Sequence, residues 1–171
     1  RLVAATPLET AQMSWLYGAD ADKISVVPAG VDLSLFRPVP RVEAKKRIGI
    51  PPHQRIILFV GRIQPLKGID TRIRAMQRIV NQYPDFRQNL CVTIIGGDPN
   101  PDSELEQAEF ERLNRLRAEL GIGDLVTFAG AKDQDTLVYY YSAAEMVVMP
   151  SHYESFGMVA LEAMACGTPV L

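Results

Sequence analysis

Two six-residue runs, Arg55-Ile-Ile-Leu-Phe-Val60 and Leu90-Cys-Val-Thr-Ile-Ile95, carry apolar side chains at nearly every position instead of every second one. Successive side chains of a strand point to opposite faces, so a run without polar alternation has to be covered on both. The inner strands of a parallel sheet, with helices above and below, meet that requirement. The neighbouring segments fit the same scheme. Residues 69–83 repeat apolar positions at helical spacing, 104–120 form a charged helix stopped by Gly121, and 133–144 and 156–165 read as further helices. Residues 126–128, 146–149 and 169–171 read as strands, and 98–103 as a polar connection. Upstream, a helix is predicted over 6–16, with Thr6 as cap and Pro7 in the first helical position. A strand follows over 23–27, a Pro- and Gly-containing loop over 28–40, and a short helix over 43–48 closed by Gly49. Strands each followed by a helix make a doubly wound, Rossmann-like α/β fold.

Ligands of such sheets lie outside the C-terminal strand ends, where the strand order reverses. Gly61-Arg62, Gly96-Gly97, Gly130 and Pro150-Ser151 directly follow strands and are therefore expected along one edge. With 171 residues, 47% of them hydrophobic, the chain can bury one substantial core. Its 18 basic and 20 acidic side chains are interspersed, with no basic stripe for nucleic acid. Cys91 and Cys166 lack metal-like spacing and read as buried thiols of a cytoplasmic protein; with two histidines and no Cys/His cluster, no zinc site is expected. No signal peptide and no membrane-spanning apolar run is evident, and both ends of the sequence look cut, the second inside a strand.

The densest chemistry lies in Pro150-Ser-His-Tyr-Glu154-Ser-Phe-Gly157-Met-Val-Ala-Leu-Glu162-Ala-Met-Ala-Cys-Gly167-Thr-Pro169, where Glu154 and Glu162 stand eight positions apart. An ionised carboxylate only accepts hydrogen bonds, which suits it to gripping the vicinal hydroxyls of a sugar or ribose. Ser155 is positioned to cap a helix, Gly157 lets backbone approach a ligand, and the amides of Phe156, Gly157, Met158 and Val159 then form an anion cradle. Hydroxyl grips beside a phosphate cradle suggest a nucleotide sugar. Taken alone, two glutamates at this spacing are more often solvated charges of a helix face.

A second cluster is Gly61-Arg62-Ile-Gln-Pro-Leu-Lys67-Gly68. Arg62 offers a planar fork and Lys67 a point charge to a diphosphate, and solvated loop cations are the equal alternative. Leu66 and Gly68 flank Lys67 where a phosphate-binding P-loop needs Gly and Ser or Thr, and no Gly-x-Gly-x-x-Gly follows a strand. Gly97 either admits a close donor sugar or makes an ordinary turn. Tyr139, Tyr140 and Tyr141 read as core packing with one exposed ring, and His152 as a loop-structuring hydrogen-bonding residue.

Together the glutamate segment, Ile57-Leu-Phe-Val-Gly61-Arg62-Ile-Gln-Pro-Leu-Lys67-Gly68-Ile-Asp70, Ile24-Ser-Val-Val-Pro28-Ala-Gly30-Val-Asp32 and Phe36-Arg-Pro38 resemble retaining glycosyltransferases of the GT-B fold, in the group that includes sucrose-phosphate synthases and mycothiol-pathway transferases. The resemblance implies that residues 1–27 are the tail of an N-terminal acceptor domain, 28–40 a linker, and 41–171 a donor-binding domain incomplete at its C-terminus. It implies hexosyl transfer from a nucleoside diphosphate sugar, UDP-sugar favoured, with retention and without a metal or protein nucleophile. Glu154 would hold the transferred sugar, Glu162 the ribose, Arg62 and Lys67 the diphosphate, and Gly130-Ala-Lys132 the base. Gly61, Gly97, Ser155, Phe156, Gly157, Met158 and Val159 would complete the donor site. The acceptor is expected on the absent N-terminal domain, so this chain alone should bind without transferring, and the resemblance leaves open peripheral membrane association of the whole enzyme. A noncatalytic nucleotide-sugar binding module and a sugar-nucleotide 2-epimerase are the rival readings.

Overall fold

The computed structural model describes residues 1–97, 104–154 and 156–171. Its centre is a four-stranded, wholly parallel sheet of β3 (Arg55–Val60), β4 (Leu90–Ile95), β5 (Val126–Gly130) and β6 (Met146–Val147), in the order β5-β4-β3-β6. β3 and β4 pair over their full length, Arg55 opposite Leu90 through Val60 opposite Ile95. Both bounds match the apolar runs, because continuous β-branched and aromatic residues leave no alternative to burial on both faces.

The two faces are separate cores. Ile56, Leu58, Cys91 and Ile95 pack with Ala44 of α2 (Arg41–Arg47), Tyr140 and Tyr141 of α5 (Gln134–Ala143) and Ala163 of α6 (Met158–Ala165). Phe59, Val92 and Ile94 pack on the other side with Ile73 and Met76 of α3 (Ile69–Gln82) and Leu113 and Leu116 of α4 (Glu104–Glu119). The chain leaves β3 toward β4 and β5, then returns to lay β6 on the other flank of β3. The strand order therefore reverses between β3 and β6, and their C-terminal ends open the crevice where a doubly wound sheet holds its ligand.

Residues 1–27 form a small β-α-β unit. β1 (Leu2–Ala4) runs parallel to β2 (Ile24–Val26), joined by α1 (Pro7–Tyr17). Thr6 caps α1 by accepting from Glu9 N–H at 3.0 Å, while Glu9 Oε2 reaches back to Ala5 N–H at 2.6 Å, a capping arrangement that defines the helix start. The segment after it holds no regular element but is anchored. Phe36 is buried edge-on against Tyr141, ring centroids 6.1 Å apart, and Ser142 Oγ accepts from Val39 N–H at 3.2 Å.

Several boundaries move. β1 is not predicted by the sequence, because three residues carry no periodicity. β6 ends at Val147 and not at 149, although Val148 N–H still donates to Leu58 O at 3.0 Å and Met149 N–H to Leu171 O at 2.7 Å. Residues 169–171 contribute only one parallel bridge, Val170 to Val147, in place of the expected strand. The last helix starts at Met158 rather than at 156, because Gly157, at φ 85°, occupies its cap position. Ser155, expected there, and the 98–103 connection lie outside the described residues.

Candidate functional site

Two adjoining cavities open at the sheet's C-terminal edge, sharing Val60, Gly61 and Arg62. The first, about 270 Å³, lies at the β3/β6 reversal and is lined by Phe59, Lys67, Met149, Ser151, Glu154, Phe156, Gly157, Met158 and Val159 in addition. The second, about 300 Å³, continues toward β4 and β5 between Gly96, Gly97, Ala131 and Lys132. The tertiary fold thus brings together Arg62, Lys67 and Glu154, and lines them up with Gly97 and Lys132.

Backbone contact between loops sets this geometry. Lys67 ends a 3-10 turn (Pro65–Lys67), and Gly68 then adopts φ 59° to start α3. A Cβ on Gly68 would lie 2.2 Å from the Pro150 carbonyl oxygen, so only glycine lets the lysine loop sit against the loop after β6. His152 N–H donates to Leu66 O at 2.9 Å and ties the same loops together, through its backbone and not its ring. Gly96, at φ 133°, makes the equivalent approach between β3 and β4, where a Cβ would meet Gly61 O at 1.8 Å. From the buried side, the Arg72 guanidinium lies 4.7 Å over the Phe59 ring and donates to Val148 O, and burial lowers its pKa to about 9.

Inside the first cavity Lys67 Nζ and Glu154 Oε2 are 2.7 Å apart, with side chains 16% and 32% exposed. Ser151 Oγ donates to the same carboxylate oxygen at 3.3 Å. Arg62 is exposed and has no ion-pair partner among the described residues. The helical hydrogen bonds of α6 begin with Ala160 and Leu161 N–H donating to Gly157 O, so Met158 and Val159, which line the cavity, belong to the turn whose amides precede that ladder. A cationic wall, a first helical turn and a carboxylate facing one small cavity suit a phosphorylated, hydroxyl-bearing ligand.

Glu162 is placed differently. It is 9% exposed and accepts from the buried Tyr141 hydroxyl at 2.7 Å, and among the described residues lining the two cavities it does not occur. Burial, reinforced by that hydrogen bond, pushes the Tyr141 phenol well above its ordinary pKa. Tyr141 is the residue sequence reasoning undervalued: within the tyrosine triplet it belongs to the core, but its hydroxyl orients a glutamate 21 positions later. Tyr139 is half-buried beneath the Arg47 guanidinium rather than freely exposed. Lys132 turns back on its own loop, donating to Ala129 O at 2.5 Å. Tyr153 donates to Gln12 Oε1 at 3.1 Å, linking the Glu154 loop to α1.

A larger cavity, about 550 Å³, lies between Ile63, Pro65 and Leu66 and the start of α4. Its Glu109 and Arg112 bind each other at 2.7 and 2.8 Å, which leaves no free cation for a phosphate among the described residues lining it. Among the described residues no helix is long and apolar enough to cross a membrane, and no group of three or more His, Cys, Asp or Glu has metal-binding proximity.

Comparison with known proteins agrees with this layout. Residues 40–171 match the family described as glycosyl transferases group 1. The D-inositol 3-phosphate glycosyltransferase of Acidothermus cellulolyticus is 46% identical over 171 residues, covering 100% of this chain and 37% of the relative. Sucrose-phosphate synthase from Thermosynechococcus elongatus superposes with a TM-score of 0.82 at 38% identity, over 98% of this chain and 39% of that one. HepE from Anabaena, solved in complex with UDP and glucose, shares the fold with a TM-score of 0.82 at 23% identity, over 98% and 42% of the respective chains. The sequence thus spans about two fifths of the length of these three proteins.

Proposed function

This chain belongs to the group 1 glycosyl transferases, as a C-terminal GT-B domain, and on that premise we propose that its crevice binds the nucleoside diphosphate sugar from which the whole protein transfers a hexosyl group with retention of configuration. The observation that carries the proposal is the convergence of Arg62, Lys67, Glu154 and the first turn of α6 on one cavity at the β3/β6 reversal. The two cations and the amides of Met158 and Val159 hold the diphosphate and offset the charge that accumulates on it as the glycosidic bond breaks. Glu154 accepts from hydroxyls of the transferred sugar. Glu162, behind the cavity wall with one oxygen fixed by Tyr141, is assigned to the ribose by the family resemblance, which requires its other oxygen to be uncovered when the nucleotide binds. The base occupies the neighbouring cavity between Gly97 and Lys132.

These residues position and stabilise; none is assigned as nucleophile. In a retaining front-face transfer the leaving phosphate takes the acceptor proton, and with Arg62 and Lys67 neutralising that phosphate the reading requires no metal. Residues 1–27 are assigned to the acceptor side and 28–40 to the linker. A UDP-sugar is the favoured donor, as the family resemblance implies, with support, as an analogy of fold alone, from HepE solved with UDP and glucose. The name of the Acidothermus relative makes D-inositol 3-phosphate the first acceptor to try with the whole protein.

Calorimetric titration of the chain with UDP, GDP and ADP tests the donor site and names its base. A charge-assisted contact contributes roughly 1.5–3 kcal/mol, so Arg62→Ala is expected to weaken the preferred nucleotide tenfold or more. Saturable binding that ignores the substitution puts the site elsewhere. Measurable hexosyl transfer by the 171-residue chain alone overturns the assignment of the acceptor site to another part of the protein.

A further inference from the structure

The 2.7 Å pair between Lys67 and Glu154 raises a question that the donor-site assignment does not answer. One ammonium is claimed by two anions, the Glu154 carboxylate and an incoming diphosphate. We propose that Glu154 is a specificity switch that discriminates the intact sugar nucleotide from the free nucleoside diphosphate left after transfer. The proposal rests on the donor-site reading above and adds to it a reason for the site to release its product.

The geometry supplies the parts. Lys67 stands on the turn between β3 and α3 and Glu154 on the loop after β6, so the pair links the two adjoining loops that line the cavity. Ser151 Oγ, 3.3 Å from the same carboxylate oxygen, holds the glutamate in this orientation. Arg62, which carries no ion pair among the described residues, is available to a phosphate at once. Lys67 has two further N–H donors, but its charge is fully available to a phosphate only when Glu154 lets it go. A carboxylate accepts hydrogen bonds and donates none, so it gains nothing from a bare diphosphate, which is of like charge and is repelled by it. The hydroxyls of a hexosyl group are donors, and they give Glu154 an alternative partner. Sugar recognition therefore frees Lys67 for the diphosphate. When the sugar has left, Glu154 returns to Lys67 and competes with the nucleoside diphosphate. Because Lys67 is largely shielded, at 16% exposure, and Glu154 partly so, at 32%, the competition is less screened than at an open surface.

Glu154→Gln keeps the shape of the side chain and removes the competing charge. UDP and UDP-glucose are titrated calorimetrically into the parent and into this variant. The expected result is a crossed response: UDP binds about fivefold more tightly, UDP-glucose about fivefold more weakly. Repeating the exchange in a Lys67→Ala background should abolish the gain for UDP, since the ammonium being contested is gone. Unchanged or weaker UDP binding by Glu154→Gln overturns the switch while leaving the donor site intact. A UDP gain that persists without Lys67 overturns it too, because the competition then runs through another group. A parent that binds neither ligand overturns the uridine donor-site reading, and the switch falls with it.

Discussion

The loop before α6 and the buried side of that helix hold the two glutamates of one motif under opposite conditions. Glu154 sits on an irregular loop, partly exposed, and shares its oxygen with Lys67 and Ser151. Glu162, two turns away along the chain, is 9% exposed and is held by the hydroxyl of a fully buried tyrosine. A partly solvated carboxylate can exchange partners at small cost, because water stands in for each lost bond; a buried one cannot, because an orphaned polar group in the core costs the full desolvation. The pair therefore teaches that identical residues at a motif spacing can divide into a movable grip and a fixed frame.

The sharpest way to break this contrast is to remove each carboxylate. Glu162→Ala, which leaves the Tyr141 hydroxyl unpaired in the core and opens a void, is expected to cost about 3 kcal/mol of unfolding free energy in urea titration. Glu154→Ala should change stability by no more than about 0.5 kcal/mol while still altering nucleotide binding. Equal losses would erase the distinction. Next in size is Tyr141→Phe, expected to cost about 2 kcal/mol by stripping Glu162 of its donor and to weaken UDP through that glutamate alone. If the phenylalanine variant unfolds as the parent does, Glu162 is not framed by Tyr141.

A further expected effect is alkaline and belongs to the same buried face. The Cys166 thiol, on the turn closing α6, is pushed up to about 11 by burial. Between its ordinary value near 9 and this folded-state value, the unfolded chain releases a proton that the folded chain keeps, so stability falls as pH rises through that interval. Cys166→Ala should flatten the decline over that range; an unchanged slope would show that the thiol ionises without opposing the fold.

Much of the architecture was legible because it follows from local pattern. The runs at 55–60 and 90–95 were bounded exactly, since nothing but burial on two faces accommodates them. Gly68 and Gly157 could be noticed, but their reason could not: at Gly68 it is the nearness of Pro150 O, which no local rule supplies. Lys67 and Glu154 were singled out separately as diphosphate and sugar contacts, and nothing in their surroundings says that they bind each other. Tyr141 was obscured by its two tyrosine neighbours, since only the helix orientation decides which hydroxyl reaches α6.

What the sequence determined by itself is the parallel sheet, its two apolar faces, the strand-end loops that carry chemistry, and the family those loops belong to. Hydrophobic period and glycine placement are local quantities, and they survive being read in one dimension. What only the tertiary structure decided is which groups meet: Lys67 with a glutamate 87 positions on, Tyr141 with Glu162, and the exposure that leaves one carboxylate free to move and fixes the other. Those are set by strand order and helix rotation, and a charge's behaviour depends on the neighbours and dielectric that these alone supply.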